Sequence, residues 1–130
     1  MDPIKSFMVP SEKFMTVERD TDVQTAARIM RDRRINSLLV TNSKEIVGIL
    51  TDTDMVRRVV AAGVDTLTTK AEQIMSAPIV MIDGDKTVLD ASDLMAQKHI
   101  RHLGVTQDGK LVGMISVRDI LVFLTNLRKT

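Results

Sequence analysis

Two short stretches of this chain carry residue types that could hold a ligand. In Gly113-Met114-Ile115-Ser116-Val117-Arg118-Asp119, a hydroxyl stands at the expected start of a helix and a carboxylate follows one turn later. The unpaired N–H groups and the dipole of a helix N-terminus favour an anion beside Ser116. Asp119 points back to the same mouth and can accept from two neighbouring hydroxyls. An anion site next to a diol acceptor is what a ribose 5′-phosphate requires. Gly48-Ile49-Leu50-Thr51-Asp52-Thr53-Asp54 repeats the arrangement with Thr51 and Asp54. Each stretch opens on a glycine, which lets a backbone or a ligand approach a strand closely. The same spacing is also that of a capping box, which satisfies the helix's own N–H groups without any ligand. Both roles are open, and one hydroxyl can serve each in turn.

These stretches belong to a longer repeat. The glycines lie 113 − 48 = 65 residues apart, and the offset holds back along the chain without a gap. Asp20, Val23, Ala26 and Met30 match Asp85, Val88, Ala91 and Met95; Ile35, Leu38, Val40 and Thr41 match Ile100, Leu103, Val105 and Thr106. Two copies of one supersecondary unit, each too short to bury a core alone, are expected to pack as a pseudo-twofold pair with a cleft between them.

The elements follow from periodicity and turn chemistry. In the first copy, Phe14–Val17 predicts a short strand and Asp22 a helix N-cap. Val23, Ala26, Ala27 and Met30 form the apolar stripe of the helix that follows. Ser37–Thr41 and Ile46–Leu50 predict a hairpin about Asn42-Ser43-Lys44. Thr51 caps a helix from Asp52 to about Ala62, which Gly63 terminates. The second copy reads the same way. Ile79–Ile82 is a strand, and Val88, Ala91, Ser92 and Met95 are a helical stripe. Leu103–Thr106 and Leu111–Ile115 form a hairpin whose turn contains Asp108-Gly109, a strong hairpin signal. A last helix runs from Ser116 towards Leu127, and Val64–Lys70 is a linker. Each unit is β-α-β-β-α, and the pair is an α/β domain, with boundaries expected at 8–65 and 73–128.

Composition narrows the function. The 130 residues carry a net charge of +1, with ten basic and ten acidic side chains in residues 1–65 and eight and seven in 66–130. That balance, with no Trp or Tyr and three Phe, argues against nucleic acid and membrane surfaces. No cysteine is available for a disulfide, a thiolate nucleophile or a thiolate metal site. No signal-peptide pattern and no apolar run of about 20 residues is present, so a cytoplasmic protein is expected. Of nine Met, seven fall among apolar residues and are core or interface filling. Arg31, Arg33, Arg34, Arg57 and Arg58 are solvated helix faces. His99 and His102 lack the carboxylate company of a metal site, so no metal is assigned. No nucleophile with a base and no phosphate-cradling glycine loop is found, so no enzyme is expected.

Two β-α-β-β-α units that each close on glycine, two apolar residues, Ser/Thr and an Asp three further on resemble a tandem pair of CBS domains, the arrangement called a Bateman module. The stretch Arg101-His102-Leu103-Gly104-Val105 adds to the likeness, which spans about Phe7 to Leu127. No catalytic, channel or transporter segment is left over, so a stand-alone CBS-domain protein is expected.

The resemblance implies a regulatory, energy-sensing module that binds an adenine nucleotide (AMP, ADP or ATP) between the repeats. Ser116 and Thr51 would face phosphate, and Asp119 and Asp54 the ribose. A basic pair, Arg101 and His102, would face phosphate in the second copy, where the first has Asn36 and Ser37, so the second is expected to be the better site. Its other wall would come from Met8-Val9-Pro10 through Phe14, Met15 and Thr16; the first site's would come from Ser76-Ala77 and Pro78, Ile79 and Val80. An S-adenosylmethionine or NAD-type adenosyl ligand, and an interaction module with vestigial sites, are the alternatives. A homodimer and a protein effector are the expected partners.

Overall fold

In a computed structural model describing residues 2–128, the 65-residue repeat recurs element by element. In chain order the strands are β1 (Val9–Pro10), β2 (Thr16–Glu18), β3 (Ser37–Asn42), β4 (Glu45–Thr51), β5 (Met81–Asp83), β6 (His102–Gln107) and β7 (Lys110–Ser116). The helices are α1 (Val23–Arg33), α2 (Asp52–Asp54, continuing as a π-helical stretch Met55–Val60), α3 (Ala71–Ile74), α4 (Val88–Lys98) and α5 (Val117–Arg128). Short 3₁₀ turns cover Ile4–Ser6 and Ser11–Lys13. The pairs β2/β5, α1/α4, β3/β6 and β4/β7 each begin and end 65 residues apart. Even the bulge recurs, between Val40 and Thr41 and between Val105 and Thr106.

The described residues form two compact units, residues 15–79 and residues 2–14 with 80–128. In the first, β2 runs parallel to β3 and β3 antiparallel to β4. Its core joins Val23, Ala26 and Met30 of α1 to Val17, Leu38, Val40 and Leu50 of the sheet and to Val59, Ala71 and Ile74. Asp22 starts α1 by accepting the Thr25 N–H at 2.8 Å. Arg34, in the left-handed region, ends it, and Ile35 N–H reaches back to the Met30 carbonyl. Ala27, expected on the apolar stripe, faces solvent, and half-buried Ile29 packs against the core instead. The hairpin turn narrows to Ser43-Lys44, both at positive φ, as a two-residue turn of matching twist requires. The expected linker, Val64–Lys70, leads directly into α3.

The second unit has a four-stranded sheet in the order β1-β7-β6-β5. Asp108 and Gly109, both at positive φ, make its hairpin turn. Its core contains Ile82, Val88, Ala91, Met95, Leu103, Val105, Ile115 and Ile120, with Ile4 from the far end of the chain at 0% exposure. The N-terminal segment thus completes the core and sheet edge of the second repeat, and α3 with the residues after it completes those of the first. These units differ from the contiguous boundaries 8–65 and 73–128, because residues 8–14 lie with the second repeat and residues 73–79 with the first.

Candidate functional site

The junction of β7 and α5 places Ser116 and Asp119 together. The Ser116 N–H and hydroxyl donate to Asp119 Oδ2 at 2.8 and 3.0 Å, and the Asp119 N–H donates to Ser116 Oγ at 3.2 Å. This is a complete capping box, so the capping role that the spacing allowed is realised. It uses one carboxylate oxygen only. Among the described residues Asp119 Oδ1 accepts no hydrogen bond. The Arg101 carbonyl accepts the Val117 N–H at 3.0 Å, and His102 pairs directly with Ser116 across β6 and β7. The strand pairing therefore brings the basic pair to the helix start.

The first repeat builds the same box and then fills it. Thr51 N–H and hydroxyl donate to Asp54 Oδ2 at 3.0 and 3.2 Å, and Asp54 N–H returns to Thr51 Oγ1 at 3.3 Å. Here the second carboxylate oxygen is taken, because the Ser76 hydroxyl donates to Oδ1 at 2.9 Å. Arg58 Nε lies 3.9 Å from the same oxygen, and Asp54 is only 5% exposed. The next N–H of this helix is also used: Thr53 N–H donates to Asp52 Oδ1 at 2.8 Å. The second repeat has Val117 where the first has Asp52 (52 + 65 = 117), and a valine offers no acceptor.

Asp52 and Arg58 follow the repeat but meet Val117 and Phe123 there, and Arg58, expected on a solvated helix face, instead holds backbone carbonyls. Ser76, expected only as part of the site's wall, reaches Asp54 through a change of offset. The segment before each repeat docks on the strand that ends at the box. Ile49 bridges to Ser76, whereas its counterpart Met114 pairs with Val9, an offset of 76 − 9 = 67. The same offset relates Ala71 to Ile4 and Met75 to Met8. Ala71 N–H donates to the Thr21 carbonyl as Ile4 N–H does to that of Lys86, and both Ala71 and Ile4 are fully buried. The 3₁₀ turn Ser11–Lys13 supplies the two extra residues. The latches differ as well. Arg58 donates to the Ile74 and Met75 carbonyls at 3.2 and 2.9 Å. At the matching place Phe123 (58 + 65) stacks on Phe7, ring centroids 4.1 Å apart.

The sequence profile of the CBS domain matches residues 4–61 and again residues 71–126. The chain belongs to the CBS-domain family. An uncharacterized protein of Methanopyrus kandleri, MK0525, is 38% identical over 104 residues, 78% of this chain and 53% of that protein. The chain spans about half the length of that relative and 20% of the Arabidopsis CBS domain-containing protein CBSCBSPB2. A crystal structure of an uncharacterized conserved protein from Pyrococcus horikoshii superposes with a TM-score of 0.84 at 30% identity, covering 95% of this chain and 92% of that one. CBSX2 in complex with AMP superposes with a TM-score of 0.78 at 18% identity, covering 98% and 99%. The pair of CBS repeats is thus a Bateman module.

The remaining candidate residues divide between the CBS units. Phe14, half-buried at the end of the Ser11–Lys13 turn, lies with the second repeat, as does Val80, whose carbonyl accepts the Gly104 N–H at 2.9 Å. Met15, exposed Thr16, exposed Pro78 and buried Ile79 lie in the first-repeat unit. There the Met15 carbonyl accepts the Leu39 N–H at 2.9 Å. Phe14–Val17 was expected to be a strand, but β2 starts only at Thr16; Ile79–Ile82 likewise gives way to a β5 that starts at Met81. In both cases the residue before the strand gives its carbonyl to the neighbouring strand, Met15 to Leu39 and Val80 to Gly104, and the paired stretch begins one residue later. No helix of the described residues is long and apolar enough to cross a membrane.

Proposed function

We propose that this CBS pair is a regulatory, non-catalytic module that binds an adenine nucleotide (AMP, ADP or ATP) at the second repeat and signals to a partner protein. Asp119 carries this reading. One of its carboxylate oxygens holds the cap and the other is available to ribose hydroxyls. Phosphate would lie at the start of α5, beside Ser116, where the helix dipole favours an anion. Arg101 and His102 stand where β6 begins, His102 opposite Ser116 and the Arg101 carbonyl on the Val117 N–H, while Asn36 and Ser37 stand at the matching places of the first repeat. That CBSX2 holds AMP on the same fold supports the ligand class. To regulate, the nucleotide must bind one conformation of the module more tightly than another.

A panel of AMP, ADP, ATP and S-adenosylmethionine in a thermal-shift assay tests the proposal. A ligand at about 100 times its Kd adds about 2.7 kcal/mol of stability. An adenine nucleotide should raise Tm in the wild type, and Asp119→Asn should lower its affinity at least about tenfold, roughly 1.4 kcal/mol, with Tm of the free protein nearly kept. If none of the four shifts Tm at millimolar concentration, the sensor reading fails. The capping boxes are complete without a ligand, and an interaction module with vestigial sites would then be the better account.

A further inference from the structure

The two boxes share backbone geometry but differ in what already occupies them. In the first repeat the Ser76 hydroxyl donates to Asp54 Oδ1, the oxygen whose equivalent in the second repeat accepts no bond among the described residues. Asp52 Oδ1 accepts from the Thr53 N–H, where an incoming anion would otherwise be bound. A ligand at this place would have to displace a half-buried serine hydroxyl from the buried Asp54 carboxylate and lie against a second carboxylate. Removing a partner from a buried charged group is costly, and a like charge beside a phosphate adds repulsion.

We infer that the first repeat is self-occupied. Ser76 stands in for a ligand hydroxyl and Asp52 for a ligand anion, so these two residues confine the chain to one nucleotide, held by the second repeat. The inference rests on the nucleotide reading above and adds stoichiometry and the residues that set it. The counterparts in the second repeat show what relieves the block. They are Val9 in place of Ser76, by strand register, and Val117 in place of Asp52, by the repeat.

Isothermal titration of the full chain with ATP and with AMP tests this. The wild type should bind one nucleotide per chain, and Asp119→Asn should remove that binding while Asp54→Asn leaves it within about twofold. The variant Asp52→Val with Ser76→Val should gain a second binding event, abolished by adding Asp54→Asn. Circular dichroism and Tm verify that each variant is folded. A residue that merely tethers its segment would change Tm without changing the number bound. Two nucleotides per wild-type chain, or a single one lost with Asp54→Asn, would overturn the inference. If the wild type binds none, the proposed function fails and the double variant still decides this point. Binding gained there upholds self-occupation, and none gained refutes it.

Discussion

Asp54 and Asp119 show how one backbone arrangement yields two chemical environments. Each carboxylate receives an N–H and a hydroxyl through one oxygen, and only Asp54 has its other oxygen satisfied by a serine. Ser116→Ala should cost about 1 kcal/mol of stability through the lost cap, read as a lower urea midpoint. Two other carboxylates make the helix starts pH-sensitive. The Thr25 N–H and hydroxyl hold Asp22 below its ordinary value of 3.8, and the Thr87 N–H and hydroxyl do the same for Asp90. A carboxyl group held low in the folded state binds protons more readily when unfolded. Its stabilising effect is present above about pH 4 and is lost as pH falls through the lower, folded value. Urea midpoints should therefore drop between about pH 5 and pH 2, and Asp22→Asn with Asp90→Asn should flatten that drop. An unchanged slope in the double variant would show that these caps do not couple to pH.

At the scale of elements, the docking segments decide how each sheet ends. The last strand of each repeat would otherwise present unpaired backbone groups along one edge. In the second unit β1 covers that edge, and close approach is possible because position 113 is glycine. A Cβ there would lie 2.8 Å from the Val9 carbonyl and would also strike the Met8 side chain. At Gly48 the nearest atom is the movable Met75 sulfur, with the Ser76 carbonyl at 3.0 Å. Gly113→Ala should therefore cost more than Gly48→Ala, of order 1–3 kcal/mol, because the Val9 carbonyl stands closer than the Ser76 carbonyl and backbone yields less readily than a thioether end, which both sites also present. Paired chemical-denaturation curves check the order, and equal losses would remove the argument from backbone approach. Core truncation sets the scale: Leu103→Ala, at a fully buried position, should cost about 2–5 kcal/mol. The boxes, hairpins and main helices were legible because hydroxyl–carboxylate spacing, Asp-Gly turns and apolar stripes are local signals. The family resemblance placed the segment from Ser76 beside Thr51 and Asp54, but the hydrogen bond of Ser76 to Asp54 was not legible, because the partners are 22 residues apart and the counterpart of Ser76 follows a different offset.

For the whole molecule, α5 leaves Val117, Leu121 and Leu124 exposed in a stripe along one face, Leu121 at 58%. Spaced by four and three residues, they line one side of the helix. We propose this face as part of a homodimer contact. Leu121→Asp should convert a dimer to a monomer in size-exclusion chromatography with light scattering while leaving the circular dichroism spectrum intact. A wild type that is monomeric at about 100 μM would refute the dimer.

The sequence by itself determined the repeated unit, the order of its helices and strands, and the placing of a hydroxyl and a carboxylate at two helix starts. These are consequences of spacing along a few successive residues, where side-chain period and backbone hydrogen bonding act locally. Only the tertiary structure decided the register in which each segment closes its sheet, and hence that a serine lies on Asp54 and a valine stands at the matching place of the second repeat. Strand-edge pairing joins residues far apart in the chain, and two extra residues in one docking segment shift its register out of the repeat. The asymmetry between the two sites therefore becomes visible only when the segments are seated.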